Sequence, residues 1–353
     1  MEASIPYESF CSLNDFHPET QAFFRDRTVA VTGGTGFVGS HIVEQLLCLG
    51  ARPVVLSRRL ESKFLRHCAS KIRFRQGDLE SYESTCRALE GTSVILNLAA
   101  KVAGLEYNST HPASIFHENM QIFLNVVKVA QELKVDRFLV TSSACVYPRF
   151  CSIPTPEDEG FAGEPEPTNS GYGWAKRMQE YLGAQYAREF GLSVAIARPY
   201  NAYGPRDNFD PASSHVIPAL IRKAFESRDG FLDVWGDGSH SRSFLYVDDF
   251  ARGLLEVAAR YPRADALNLG ANEEISVGDL AGSISSLVSK IRGMPIQPRF
   301  EAGGLTGQPR RCCDSSKAER LLGFRAKVSL RHGLKRTVEW FAANESRTLP
   351  AHI

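Results

Sequence analysis

The stretch that most constrains this chain is a short apolar strand pattern, Thr28-Val29-Ala30-Val31-Thr32, running straight into Gly33-Gly34-Thr35-Gly36-Phe37-Val38-Gly39. A helical pattern follows over about 40–49, with Ile42, Val43, Leu46 and Leu47 at helical spacing and Gly50 placed to end it. Glycines between a buried strand and an amphipathic helix let the backbone approach a pyrophosphate, whose charge then meets the helix N-terminus. Two spacings are satisfied together, Gly34-x-Gly36-x-x-Gly39 and Gly33-x-x-Gly36-x-x-Gly39. A chain that opens this way is committed to a βαβ unit and so to a parallel sheet.

The remaining pattern agrees. Strands are predicted over 54–56, 72–75, 94–98, 139–141 and 194–197, with helices between them, notably 122–133 and 172–190. After Pro199 the rhythm changes to loops rich in Gly, Pro, Asn and Asp. Strands are expected there over 243–247 and 266–269, and helices over 247–259, 277–288, 316–322 and 330–341. The expected fold class is α/β, a Rossmann-type doubly wound parallel sheet with a smaller α+β substrate-binding domain. The expected organisation is an extension over 1–27, a dinucleotide-binding domain over 28–198 with later segments near 243–270 returning to it, and a substrate-binding domain mainly over 199–353.

Composition excludes several function classes. At 43% hydrophobic and 23% charged residues, the chain reads as an ordinary soluble globular protein. Its 41 Lys and Arg against 40 Asp and Glu leave a net charge of +1, which points to neither nucleic acid nor a membrane surface as partner. Residues 1–27 carry Glu, Asp and Pro and lack an apolar core, so they do not read as a signal peptide. No run reaches the roughly 18 apolar residues of a membrane span. The eight cysteines show no Cys-x-x-Cys and no His at ligand spacing, so reduced thiols in a cytoplasmic protein without a metal site are expected.

Two further stretches carry chemistry. The strand ending at Phe138-Leu139-Val140 breaks into Thr141-Ser142-Ser143-Ala144-Cys145-Val146-Tyr147-Pro148, placing hydroxyls and a thiol at a carboxyl edge, where open α/β sheets bind ligands. Then Gly171-Tyr172-Gly173-Trp174-Ala175-Lys176 opens a helix, so Tyr172 and Lys176 project from one face. A phenol beside an ammonium and a serine hydroxyl is equipped to move a proton on or off a carbonyl oxygen. A free phenol has a pKa near ~10; Lys176 and a nicotinamide's positive charge are expected to favour the phenolate. At the end of the second strand stand Ser57-Arg58-Arg59 where an NAD-selective chain would carry an acid, so the expected cofactor is NADP(H).

Ser143, Tyr172 and Lys176 behind this glycine turn resemble the extended short-chain dehydrogenases/reductases, over nearly the whole of 28–341. Ala100-Lys101-Val102-Ala103-Gly104, Ser143-Ala144-Cys145-Val146-Tyr147-Pro148, Tyr203-Gly204-Pro205-Arg206-Asp207-Asn208-Phe209 and Ser214-His215-Val216-Ile217-Pro218-Ala219-Leu220 resemble the GDP-L-fucose synthase family within it. That family epimerises GDP-4-keto-6-deoxymannose at C3 and C5 and reduces it at C4. Its sibling, GDP-mannose 3,5-epimerase, shares the Ser-Ser-Ala-Cys form of the thiol motif. Relatives that dehydrate sugars carry Asp-Glu where this chain has Ala144-Cys145.

The resemblance implies a catalytic set of Ser143, Cys145 (base), Tyr172, Lys176 and His215 (acid on the opposite sugar face). It implies cofactor contacts from Gly33, Thr35, Gly36, Phe37, Val38, Gly39, Ser57, Arg58, Asp78, Leu79, Leu98, Ala99, Ala100 and Lys101, and again from Tyr172 and Lys176. It implies a nucleotide-sugar pocket from Asn201, Val216, Leu220, Lys223, Trp235, Arg242 and Arg310, and a homodimer through helices 122–133 and 172–190. Ala144 leaves Ser142 and Ser143 as rivals, Lys223 stands where the synthases have Arg, and segments 59–71 and 149–171 are atypical. The other readings are a 3,5-epimerase without net reduction and a redox-inactive NADP-binding sensor or scaffold.

Overall fold

The computed structural model describes residues 12–102, 104–211, 213–301 and 308–344. In chain order the elements that build the sheet region are α1 (Pro18–Phe24), β1 (Thr28–Thr32), α2 (Phe37–Cys48), β2 (Arg52–Ser57), β3 (Arg73–Gln76), α3 (Tyr82–Leu89), β4 (Val94–Asn97), α4 (Leu105–Thr110), α5 (Pro112–Glu132), β5 (Arg137–Thr141), α6 (Ser170–Phe190) and β6 (Val194–Pro199). A seventh strand, Ala266–Leu269, completes a sheet of order Ala266–Leu269, β6, β5, β4, β1, β2, β3, with every pairing parallel. The strand order reverses between β1 and β4, which opens a crevice beyond their carboxyl ends.

Strands buried on both faces must be apolar throughout. Every residue of β4 and β6 is buried, whereas β3, at the edge, keeps Arg73 and Gln76 exposed. One face of the sheet packs on α2 and on α8 (Val247–Arg260), which follows α7 (Val216–Glu226); Leu46, Leu254 and Leu255 meet Val29, Val31 and Leu267 there. The opposite face packs on α3, α5 and α6 through Phe123, Val126, Ala130 and Phe138. A second apolar centre, drawn from Tyr203 to Phe341, joins α7, the helix Val277–Arg292 and the helix Leu330–Asn344, with Phe37 and Val38 touching it from the glycine turn. The crevice therefore has one wall from each centre.

Differences from the sequence expectation have local causes. Helix α5 begins at Pro112, ten residues early, because its first turns face inward only through Ile115 and Asn119 and show no apolar stripe; Pro112 sits at the first turn, where a missing N–H costs nothing. The expected strand over 243–247 is split into Ser241–Ser243 and Leu245–Tyr246, and Val247 already begins α8. Leu245–Tyr246 pairs with Ala202–Tyr203, while Ala266–Leu269 returns to the main sheet beside β6. Among the described residues no helix is long and apolar enough to cross a membrane, no cluster of three metal-ligating side chains occurs, and the cysteines form no disulfide.

Of the expected extension, residues from Ser12 onward dock on α8. The Thr20 hydroxyl and the His17 amide donate to Glu256 (2.7 and 2.9 Å), and Phe24 is completely buried in the core beneath the sheet. Phe24→Ala should lower stability by about 3–5 kcal/mol, read as a reduced urea midpoint; an unchanged midpoint would show that this segment is dispensable.

Candidate active site

The glycine turn is a cradle that side chains would fill. Gly33 has a φ of +68°, in the left-handed region, and a Cβ on Gly39 would lie 2.2 Å from the Gly33 carbonyl oxygen. Gly36 caps α2, so the helix's first amides open onto the turn. Thr32 Oγ1 accepts from the amides of Leu98 and Ala99 (3.0 and 2.9 Å) and donates to Asn97 (2.8 Å), tying the carboxyl ends of β1 and β4 at the crevice. Ala100 and Lys101 continue this edge. The Lys101 backbone is gripped from both sides by the Asn119 amide (3.1 Å each), and its ammonium reaches Glu118 (3.5 Å).

At the end of β2, Ser57 Oγ accepts from the Arg59 amide (3.1 Å) and lies 3.4 Å from Thr35 Oγ1. The Arg58 and Arg59 side chains are exposed and have no ion-pair partner among the described residues. Asp78 lies exposed after β3, its carboxylate accepting from the Glu80 amide (3.0 Å), and Leu79 is held by Asn125 donating to its carbonyl (2.8 Å). A collar of backbone amides, a hydroxyl and two open guanidiniums fits a phosphorylated dinucleotide.

The turn after β5 meets the start of α6 directly: a Cβ on Gly173 would lie 2.4 Å from the Cys145 carbonyl oxygen. Lys176 is 4% exposed; its ammonium donates to the Thr141 carbonyl (2.8 Å) and to Gln179 (3.1 Å) and stands 5.5 Å from the Tyr172 ring centre. Burial pulls its pKa down to about 8, opposed by the charges of Cys145 and Glu180. Burial, then the charge of Cys145, pushes the Tyr172 phenol above its ordinary value. In the protein alone, desolvation dominates the phenol, and the Lys176 ammonium is held by Thr141 and Gln179. Cys145, Tyr172 and Lys176 share one electrostatic neighbourhood.

The two serines separate cleanly. Ser142 is buried, its hydroxyl donated to the Glu180 carboxylate. Ser143 is half-buried and caps the short turn Ala144–Val146, its oxygen accepting from the Cys145 amide (3.1 Å). His215 occupies the cap position of α7. The residue has exposed surface, yet crowding by the surrounding protein, which disfavours the charged ring, pushes its pKa below the usual histidine value.

On the second wall, Lys223 donates to the Asp233 carbonyl (3.3 Å) and lies 4.7 Å above the ring of Trp235, which is 63% exposed. Asn201 is pinned to the Ser243 carbonyl (2.8 Å); Val216 is half-buried and Leu220 buried on α7. Arg242 donates to the carbonyls of Ser241 (2.8 Å) and Pro309 (3.1 Å), and burial, then repulsion from Arg311, lowers its pKa to about 10. The strand Arg310–Arg311 runs parallel to Ser241–Ser243 with Arg311 level with Arg242. Arg310, the expected ligand, is instead exposed and held bidentate by Glu274 (3.0 and 2.7 Å). Arg311 donates to Gln308 (3.0 Å) and places a guanidinium nitrogen 3.9 Å from the Cys145 sulfur. Successive strand residues face opposite sides; the double arginine was visible in the sequence, but register decides which one faces Cys145.

A parallel sheet with this glycine cradle, and Ser, Tyr and Lys at its carboxyl edge, defines an extended short-chain dehydrogenase/reductase. The chain belongs to the NAD dependent epimerase/dehydratase family, whose model matches residues 29–270. It is 36% identical over 320 residues to probable GDP-L-fucose synthase 1 of Oryza sativa subsp. japonica, covering 90% of this chain and 92% of that protein. It is 30% identical over 326 residues to the dTDP-4-dehydro-6-deoxy-D-allose reductase of Streptomyces bikiniensis, covering 89% and 96%. The GDP-L-fucose synthetase of Naegleria fowleri, solved bound to NADP, superposes with a TM-score of 0.74 at 26% identity over 91% of this chain and 94% of that one.

Arg58→Ala should weaken NADPH binding about 10- to 100-fold, the size of a lost charge-assisted contact, and leave NADH binding unchanged by isothermal titration. Equal loss for both cofactors would remove Arg58 from the 2′-phosphate site.

Proposed function

We propose that this chain is an NADPH-dependent 3,5-epimerase and 4-reductase of a nucleotide-linked 4-keto-6-deoxy sugar, GDP-linked in the first instance. The observation that carries the reading is the convergence of a thiol, Cys145, with the Tyr172–Lys176 pair at one carboxyl edge. The similarity to GDP-L-fucose synthases over nine-tenths of the chain supports the substrate class.

A C4 ketone acidifies the protons on C3 and C5. Cys145 removes them from one face of the ring, and His215, from the second wall, returns protons to the other. Ser143 holds the C4 oxygen by a hydrogen bond, and Tyr172 protonates that oxygen as the carbonyl is reduced. NADPH, when bound, supplies the hydride for that reduction. Lys176 keeps positive charge beside the phenol and, with Thr141 and Gln179, fixes its own position. Arg242 and Arg311 lie on one face of their ribbon, suited to a diphosphate, and Trp235 and Lys223 line the nucleotide end. Residues 28–198 with the returning strand Ala266–Leu269 form the cofactor domain, and 199–353 mainly the substrate domain. Exposed Phe116 and Leu124 on α5 and Tyr181 and Phe190 on α6 support a homodimer through these helices in a cytoplasmic enzyme.

In deuterium oxide, GDP-4-keto-6-deoxymannose should acquire label at C3 and C5 and be reduced with oxidation of NADPH. Label without oxidation would leave an epimerase, and neither would leave a cofactor-binding protein. Cys145→Ser should abolish labelling while NADPH still binds; labelling that survives it removes Cys145 as the base. The reduction rate should fall as pH rises through about 8, where Lys176 gives up its proton, by about tenfold per pH unit above it, and Lys176→Arg should move that limb to higher pH.

A further inference from the structure

Behind the reactive groups lies a buried ion pair that the proposed chemistry does not use. Glu180 and Arg198 are each about 5% exposed in their side chains, and the guanidinium grips both carboxylate oxygens (2.8 and 2.7 Å). Glu180 sits on α6 one turn past Lys176, so the two project from the same helix face. Its carboxylate also takes the Ser142 hydroxyl, next to Ser143. The remaining guanidinium nitrogen donates to the Tyr147 hydroxyl (3.0 Å), two residues past Cys145, and to the Glu157 carbonyl (2.6 Å). Tyr147 donates on to Asn268 (2.6 Å), which donates to the carbonyls of Thr155 and Asp314 (3.0 Å each). Gly160 makes room for the guanidinium: a Cβ there would lie 2.3 Å from it.

A buried pair stabilises a fold weakly at best, since desolvation offsets its attraction. This one nonetheless ties together the segments that carry Ser143, Cys145, Tyr172, Lys176 and Arg311. It is also oriented: the carboxylate is carried on the helix face that carries Lys176, and the guanidinium reaches Tyr147 and Glu157. We propose that Glu180 and Arg198 are positioning residues, a buried dipole that locks the Ser143–Cys145 turn to the Tyr172–Lys176 helix and holds its negative end against the Lys176 ammonium. The proposal rests on reading Tyr172 and Lys176 as the proton-transfer pair.

The electrostatics agree. The charged and titratable groups facing Lys176 are Cys145 from the turn after β5, and Tyr172 and Glu180 from its own helix, with Arg198 of β6 behind Glu180; α5 contributes the uncharged Asn119 through Gln179 (3.1 Å). Burial lowers the Lys176 pKa, and Glu180 opposes that fall. Burial likewise opposes charge on Arg198, yet Glu180 holds its pKa above the usual guanidinium value.

The test reads Lys176 directly, from the Cε shift in protein carrying [ε-13C]lysine, assigned by its absence in Lys176→Met. Glu180→Gln should move the titration midpoint down by about half a pH unit or more, the size of a modest charge–charge interaction, and lower the turnover number about tenfold or more. Arg198→Lys keeps a cation against the carboxylate and should leave the midpoint in place while turnover falls through the lost Tyr147 contact. A scaffold without electrostatic influence would lower turnover in both and move the midpoint in neither, which would overturn the proposal. Where Glu180→Gln fails to fold, the double change Glu180→Gln/Arg198→Met leaves no buried charge unpaired and should show the same downward midpoint; an unmoved midpoint there is equally fatal. The titration needs no sugar, so a moved midpoint in a protein that reduces no 4-keto sugar would sink the functional reading and leave this inference standing.

Discussion

The structure depends on the approach of α2 to the end of β1. Gly39 lies so close to the Gly33 carbonyl that no side chain fits between them, and Gly33 adopts a conformation that L side chains rarely adopt. With that contact made, the first turn of α2 points its amides at the place where β1 and β4 diverge. Thr32 then holds the β4 edge to the same point through Leu98 and Ala99. An anion site and a crevice arise together from a single backbone constraint.

Around that crevice, some charges are answered by an opposite charge and others only by neutral acceptors. Arg310 and Glu274 neutralise each other at the surface, and Glu180 and Arg198 do so in the interior. Arg242 and Arg311, by contrast, face carbonyls, an amide and a thiol, and Arg311 raises the cost of Arg242's charge. Lys176 belongs to the same economy: its ammonium is dry, and neutral acceptors hold it in place.

Much of the fold was legible in the chain. The strand–glycine–helix opening, the alternating strands and helices up to Pro199, and Tyr172 four residues before Lys176 all follow from local spacing. The structure places them as that spacing requires. Misreadings fell where local pattern is weak. The first turns of α5 turn few apolar residues inward. The expected extension, by contrast, does pack on the body, through Phe24 of α1 and two hydrogen bonds to Glu256, a residue 236 positions from Thr20.

By itself, the sequence determined the kinds of element, the glycine cradle, the open basic end of β2 and the presence of a thiol beside a Tyr–Lys helix. These are fixed by neighbours within a few positions, where helix and strand periodicity decide which side chains share a face. Tertiary structure alone decided that Ser143 caps the turn at Cys145 while Ser142 is spent on Glu180. It alone set Arg311 beside Cys145 while Arg310 turns to Glu274, and joined Glu180 to Arg198 behind the reactive groups. Each of those outcomes depends on the register of strands and the packing of segments far apart in the chain, and no local spacing encodes it.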